Sequence, residues 1–303
     1  MKSLRQLALA ADVVAFAVVA LGSWTRIHSA GMTCPDWPTC DGRLVPVLAG
    51  GTIWEWTHRL LALLLAPLIL AIAVRTWKER ERCAFLLPAA TVVVALFLTQ
   101  VGLGAATVDL DNTPISVVFH WGTAMALIAA ILALAIFAGE EPLPLAPPAP
   151  HALRNAALAA LGATAVMTFV TMCVGAYVSS SGAGLACLTI PGCAGSVVVY
   201  TPGQIVQMLH RCAAAATLLF ATTAFALVWM KPLAQRVRLW TVAGFSLVSI
   251  QVILGLLNVA LRLPTDLSEL HSVNAALVFL AFVTATAFAL LDAPEARGAS
   301  EQP

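Results

Sequence analysis

Eight apolar stretches, at about residues 7–25, 52–74, 84–107, 115–138, 155–178, 203–230, 239–261 and 268–291, take up most of the chain. Each is long enough to cross a hydrocarbon layer of about 30 Å as a helix. Ala and Leu fill these runs, and the strict alternation of a barrel strand is absent. The expected fold class is therefore all-α, a polytopic membrane protein with eight transmembrane helices. Composition agrees: 60% of the 303 residues are hydrophobic and 10% are charged, against roughly 25% charged in soluble domains. A net charge of +1 without a basic patch or zinc-finger spacing gives no support to a nucleic-acid partner.

Lys2 and Arg5 before the first apolar run, and small residues near Gly22, resemble a signal peptide. The same segment recurs later as part of a repeat, which favours an uncleaved helix. With both ends inside, inner segments hold eleven basic residues (Lys2, Arg5, Arg75, Lys78, Arg80, Arg82, Arg154, Lys231, Arg236, Arg238 and Arg297) and outer segments three (Arg26, Arg43 and Arg262). That bias predicts cytoplasmic termini in a plasma (bacterial inner) membrane.

Sliding the sequence against itself by 151 to 153 residues pairs Gly22 with Gly175, Gly31 with Gly184, Cys34 with Cys187 and Cys40 with Cys193. It also pairs His58-Arg59 with His210-Arg211, Gln100 with Gln251 and His120 with His271. An ordered set of this kind predicts two tandem four-helix bundles. With four spans in each unit, they are parallel repeats related by a pseudo-twofold axis along the membrane normal. The units are expected at 1–138 and 154–291. A proline-rich cytoplasmic linker, 139–153, joins them, and a flexible tail occupies 292–303.

His58, His120, His210 and His271 lie near the outer starts of the even-numbered spans, two per unit at matched depth. Two imidazoles on facing helices can ligate one haem iron axially. The plainer alternative is four polar histidines hydrogen-bonding inside the bundle. Zinc fits less well, because neither unit offers a third suitable ligand at that depth. Arg59 and Arg211 point about 100° away from their neighbouring histidines, toward a haem propionate, a carboxylate or a carbonyl.

Cys34 and Cys40 share one outer loop, and Cys187 and Cys193 repeat the spacing. Close spacing in an oxidising compartment favours disulfides Cys34–Cys40 and Cys187–Cys193, with a redox-exchanging thiol pair as the alternative. Cys83, Cys173 and Cys212 fall at or within spans and read as small packing residues. Asp36, Asp41, Asp109, Asp111, Asp266 and Glu269 read as solvated outer-loop acids. Trp37 reads as a membrane-surface anchor.

The units differ at one notable position, where Glu55 has Gln207 as its counterpart. At i, i+3, Glu55 shares a helix face with His58 and could move protons or polarise a reacting group. A salt bridge to Arg59, or a bond that merely orients His58, is the alternative. Asp12, in the inner half of the first span, offers a bond to a neighbouring helix.

Together, "GSWTRIHSAGMTCPDWPTCDG", "EWTHR", "FHWGTAMAL", "LHRCAA" and "LHSVNAALVF" resemble the haem A synthase family across essentially the whole chain. "CLTIPGC" replaces the fuller cysteine-loop motif in the second unit. The resemblance implies a haem-dependent membrane oxidoreductase that oxidises the C8 methyl of haem O to formyl by successive hydroxylations. It implies a resident haem b on His210 and His271, with Arg211 nearby. It implies substrate haem O near His58, His120 and Arg59, with Glu55 contributing to turnover. Dioxygen, an electron donor, haem O synthase, the lipid bilayer and further copies of the chain are the implied partners. A diheme b-type electron-transfer cytochrome is the alternative from another class, and a two-repeat transporter stands well behind both.

Overall fold

The computed structural model describes residues 2–81, 86–139, 152–193, 195–196, 198–230 and 233–291. Eight long helices follow in chain order: α1 (Lys2–Ile27), α2 (Thr52–Lys78), α3 (Leu87–Asp109), α4 (Pro114–Phe137), α5 (Ala152–Ser180), α6 (Pro202–Trp229), α7 (Gln235–Ala260) and α8 (Thr265–Leu291). All eight are long and apolar enough to cross a membrane, so the chain is an all-α polytopic membrane protein. Cys83, most of the expected linker and the expected tail lie outside the described residues.

The helix starts follow local chemistry. Pro114 and Pro202 stand at the first helical position, where a missing N–H costs nothing. Thr201 and Gln204 close a capping box on α6. The α3–α4 and α7–α8 junctions are short turns in which Asp111 and Asn112, and then Arg262 and Leu263, adopt left-handed backbone. Asn112 N–H and Leu263 N–H donate back to Thr107 O and Asn258 O, satisfying carbonyls at the helix ends.

Helix contacts group α1–α4 and α5–α8 into two bundles, which meet where α4 and α8 pack on each other and on α5 and α1. One core gathers Leu4, Ile72, Val93, Met125, Ile128 and Leu134, and it continues across the junction to Met172 and Phe279. The other gathers Leu161, Val228, Val237 and Phe282 on α5–α8. The outward faces carry Leu63, Leu98, Val166, Leu219 and Leu239 in the open, as lipid-facing helices should. The two central helices are the most enclosed, with 44% of the apolar stretch of α4 and 56% of that of α8 buried, against 11% for α3.

Candidate functional site

Each of the four intramembrane histidines sits near the start of an even-numbered helix, six residues past the first position in α2, α4 and α8 and eight in α6. Their depth is therefore matched to within about one turn. What fixes each ring is a glycine on the neighbouring helix. A Cβ at Gly22 would lie 2.7 Å from His58 Cε1, and one at Gly175 would lie 2.9 Å from His210 Cε1. Gly104 and Gly255 stand in the same relation to His120 and His271, each at 3.3 Å. At Gly22 and Gly175 backbone and imidazole thus approach more closely than a side chain would allow, and at Gly104 and Gly255 a side chain would be tightly crowded. The α1 and α5 backbones also supply partners: His58 Nδ1 meets Val18 O at 3.0 Å and His210 Nδ1 meets Thr171 O at 3.2 Å. A ring held through Nδ1–H keeps the Nε2 lone pair free, the usual arrangement of a metal-ligating histidine.

The spacing of His210 and His271 suits two imidazoles that would hold one haem between them. The His210 and His271 ring centres are 6.5 Å apart. An iron between two imidazoles, with bonds of about 2.0 Å, separates ring centres by roughly 6 Å. Among the described residues no cluster of three His, Cys, Asp or Glu could hold a bare metal ion. Paired histidines in an apolar bundle suit a macrocycle that brings its own equatorial ligands.

Disulfides join Cys34 to Cys40 and Cys187 to Cys193, so both pairings expected from the spacing are present. Arg59 and Arg211 clamp these loops. Arg59 donates to the carbonyls of Cys34 (2.9 Å), Asp36 (2.6 Å) and Thr39 (2.6 Å). Arg211 donates to those of Cys187 (2.7 Å), Thr189 (2.7 Å) and Gly192 (2.8 Å). Of the partners open to these arginines in the sequence, the structure supplies carbonyls and, for Arg59, a carboxylate. Glu55, 4% exposed, pairs with Arg59 at 2.7 Å and accepts from Cys34 N–H and the Thr33 hydroxyl, each at 2.9 Å. Gln207 reproduces the backbone part: its oxygen accepts from Cys187 N–H at 2.6 Å and its amide donates to Gly184 O at 2.7 Å. Each loop is thereby tied to the helix turn that carries a histidine.

Inside the first loop, Asp36 accepts from the Thr39 hydroxyl and from the N–H groups of Asp41 and Gly42. These bonds, the Thr39 hydroxyl first, hold its carboxyl below the usual carboxylate range. Asp36 is therefore a turn organiser rather than an idle solvated acid. Trp37 is 44% exposed at the same loop, where a surface anchor would stand.

The sequence of the chain settles its lineage. The model of the COX15-CtaA family, described as cytochrome oxidase assembly protein, matches residues 5–283. The chain belongs to this family. It is 30% identical to the haem A synthase of Bacillus licheniformis over 224 residues, 73% of each chain. It is 29% identical to that of Bacillus pumilus over 285 residues, 89% of this chain and 90% of that one. To the Shewanella oneidensis haem A synthase it is 26% identical over 313 aligned positions, covering 89% and 92%.

Several residues that shape the scaffold escape a reading by motif. Gly104 and Gly255 repeat at the same spacing of 151 as His120 and His271, and that offset could have found them. Glu269, expected to be a solvated acid, is buried at 8% exposure, because α8 begins beneath the adjoining bundle. Its carboxyl faces Ser23 and Arg26 of α1 and His28 just beyond that helix, and Ser23 donates to Ser272 at 2.9 Å across the junction. Nothing in the periodicity of α8 distinguishes this acid from a loop residue. Asp12 Oδ1 is buried without a hydrogen-bond partner among the described residues, so the expected bond to a neighbouring helix is not formed. Cys173 packs against Gly122, whereas Cys212 is exposed on the outside of α6 rather than packed.

Proposed function

We propose that this protein is a haem A synthase that oxidises the C8 methyl of haem O to formyl. Family membership supports the reading, and the observation that carries it is the pair of glycine-cradled histidine couples at one depth. In this proposal residues 1–138 form the substrate unit, with haem O between His58 and His120. Residues 154–291 form the cofactor unit, with haem b between His210 and His271. A pseudo-twofold axis along the membrane normal relates them, both termini are cytoplasmic and the cysteine loops are extracytoplasmic. Eleven inner against three outer basic residues support that orientation.

A bound haem supplies the redox chemistry, relaying electrons from a donor toward dioxygen. One hydroxylation turns the methyl into an alcohol, and a second gives a hydrate that loses water to leave the formyl. In each, dioxygen places one oxygen atom on carbon and the other in water. The chain's residues hold and seal the site. His58 and His120 fix the macrocycle, the apolar bundle admits a largely apolar substrate from lipid, and Arg59 and Arg211 keep the disulfide loops closed above the two sites. Glu55 is the acid that only the substrate unit carries, and turnover depends on it.

The test compares Glu55→Gln and His210→Ala in the purified protein by pigment extraction and mass analysis. E55Q retains an acceptor for Cys34 N–H, as Gln207 does, so its loop stays anchored. The expected outcome is normal haem b with no haem A in E55Q, and loss of haem b in H210A. Haem A production by E55Q removes the carboxylate from the mechanism. A second reading, a diheme electron-transfer cytochrome, draws on the near equivalence of the two histidine couples. Stable loading of two haems without conversion of haem O would select it.

A further inference from the structure

Gln100 and Gln251 occupy the same register, yet the structure uses them differently. The Gln100 amide nitrogen lies 3.1 Å from His120 Nδ1 and 3.4 Å from its Nε2. Its own Oε1 is buried with no hydrogen-bond partner among the described residues. Gln251 is turned off its histidine ring. Its amide donates to the backbone carbonyl of His271 at 3.0 Å, and its oxygen accepts from Asn274 at 2.7 Å. Asn274 is braced in turn on Leu247 O at 3.0 Å. Among the described residues, His271 Nδ1 is left without a partner. The position three residues after the histidine decides the outcome: Asn274 follows His271, while Thr123 follows His120.

A neutral imidazole has one N–H and one lone pair, and an amide NH2 can satisfy only the lone pair. A lone pair engaged by Gln100 is withheld from a metal. If the engaged atom is Nδ1, the ring proton sits on Nε2 and blocks ligation there. In either case iron binding at His120 requires that a buried hydrogen bond be broken, and His271 carries no such burden. Groups that touch a ligating histidine commonly change metal affinity by about 10- to 100-fold.

We infer that Gln100 is a positioning residue that makes His120 a yielding haem ligand, and that Asn274 protects His271 from the same competition by holding Gln251 aside. This rests on the assignment of a haem to each histidine couple. It gives the substrate unit a site that releases its macrocycle and the cofactor unit one that keeps it, a difference the histidines alone do not encode.

The experiment loads the purified full chain with haem b and follows transfer to excess apomyoglobin by absorbance. Wild-type protein should lose one haem quickly and the other slowly. Gln100→Met, which removes the donor at similar length, should slow the fast phase by about 10-fold or more. Thr123→Asn should do the same by drawing Gln100 away, and Asn274→Thr should accelerate the slow phase. Unchanged or faster release in both Q100M and T123N overturns the inference, since an amide turned the other way would accept Nδ1–H and strengthen ligation. A wild-type protein that loads only one haem fails at the underlying two-haem assignment instead. Melting temperature and size-exclusion profile, recorded for each variant, separate ligand effects from misfolding.

Discussion

Substituting Gly175 by alanine tests whether backbone proximity places the second-unit histidine. The new Cβ would stand 2.9 Å from His210 Cε1 and 3.2 Å from Nδ1. Carbon atoms in contact prefer about 3.5–4.0 Å, so the ring has to retreat by at least roughly 0.6 Å. That retreat also stretches the 3.2 Å contact from Nδ1 to Thr171 O. Inserting a methyl group into packed space costs about 1–3 kcal/mol. Alanine favours a helix over glycine by about 0.5–1 kcal/mol, but it does so with or without haem. With haem b on His210 as proposed, the steric cost is greatest where iron fixes the ring, so haem affinity should fall by about 5- to 150-fold. Gly162 in the same helix is the control, because a Cβ there meets only Thr286 Cγ2 at 3.9 Å. The assay is haem titration of purified protein, with the haem-to-protein ratio read by absorbance. Wild-type affinity in G175A would mean that backbone contact does not place the His210 ring, and an equal loss in G162A would assign the effect to helix packing at large.

Two further outcomes follow from the cysteine loops. Arg59→Lys replaces a planar fork serving three carbonyls and Glu55 with a single ammonium. Losing two of those bonds should cost about 3–6 kcal/mol of local order, read as faster amide exchange over residues 34–43; unchanged exchange contradicts the clamp. The second outcome is a pH profile. Because the Asp36 carboxyl is held below its ordinary value in the folded loop, its contribution is complete above the unfolded value of about 3.9 and fades as pH falls through the lower folded value. Loop protection should therefore persist at pH 5 and decline only in stronger acid, and Asp36→Asn should flatten the profile.

The eight helices and the internal repeat are legible in the sequence because lipid imposes length and apolarity on every span. The four histidines are legible for a related reason: ionisable groups inside such spans are costly enough to stand out. Much of the remainder depends on relations between helices. Glu55 stands out as a charge, but only the folded loop shows it accepting from Cys34 N–H and Thr33 while paired with Arg59. Glu269 looks like a loop acid until α1 is seen packed over it. Gln100 and Gln251 are identical in register, and their divergence arises from Asn274, a residue on another helix.

The enclosure of α8 has a consequence for biosynthesis. This helix covers faces of α1, α4, α5 and α7, yet it is the final one of the eight to emerge in synthesis. Until residues 265–291 enter the bilayer, those faces meet lipid, Ser23 lacks its cross-junction partner and His210 has no opposite imidazole. A nascent chain can therefore present the complete His58–His120 couple before the second couple exists. On the proposed haem assignment, membrane insertion would set the order of acquisition, because the first histidine couple is complete while the second awaits α8.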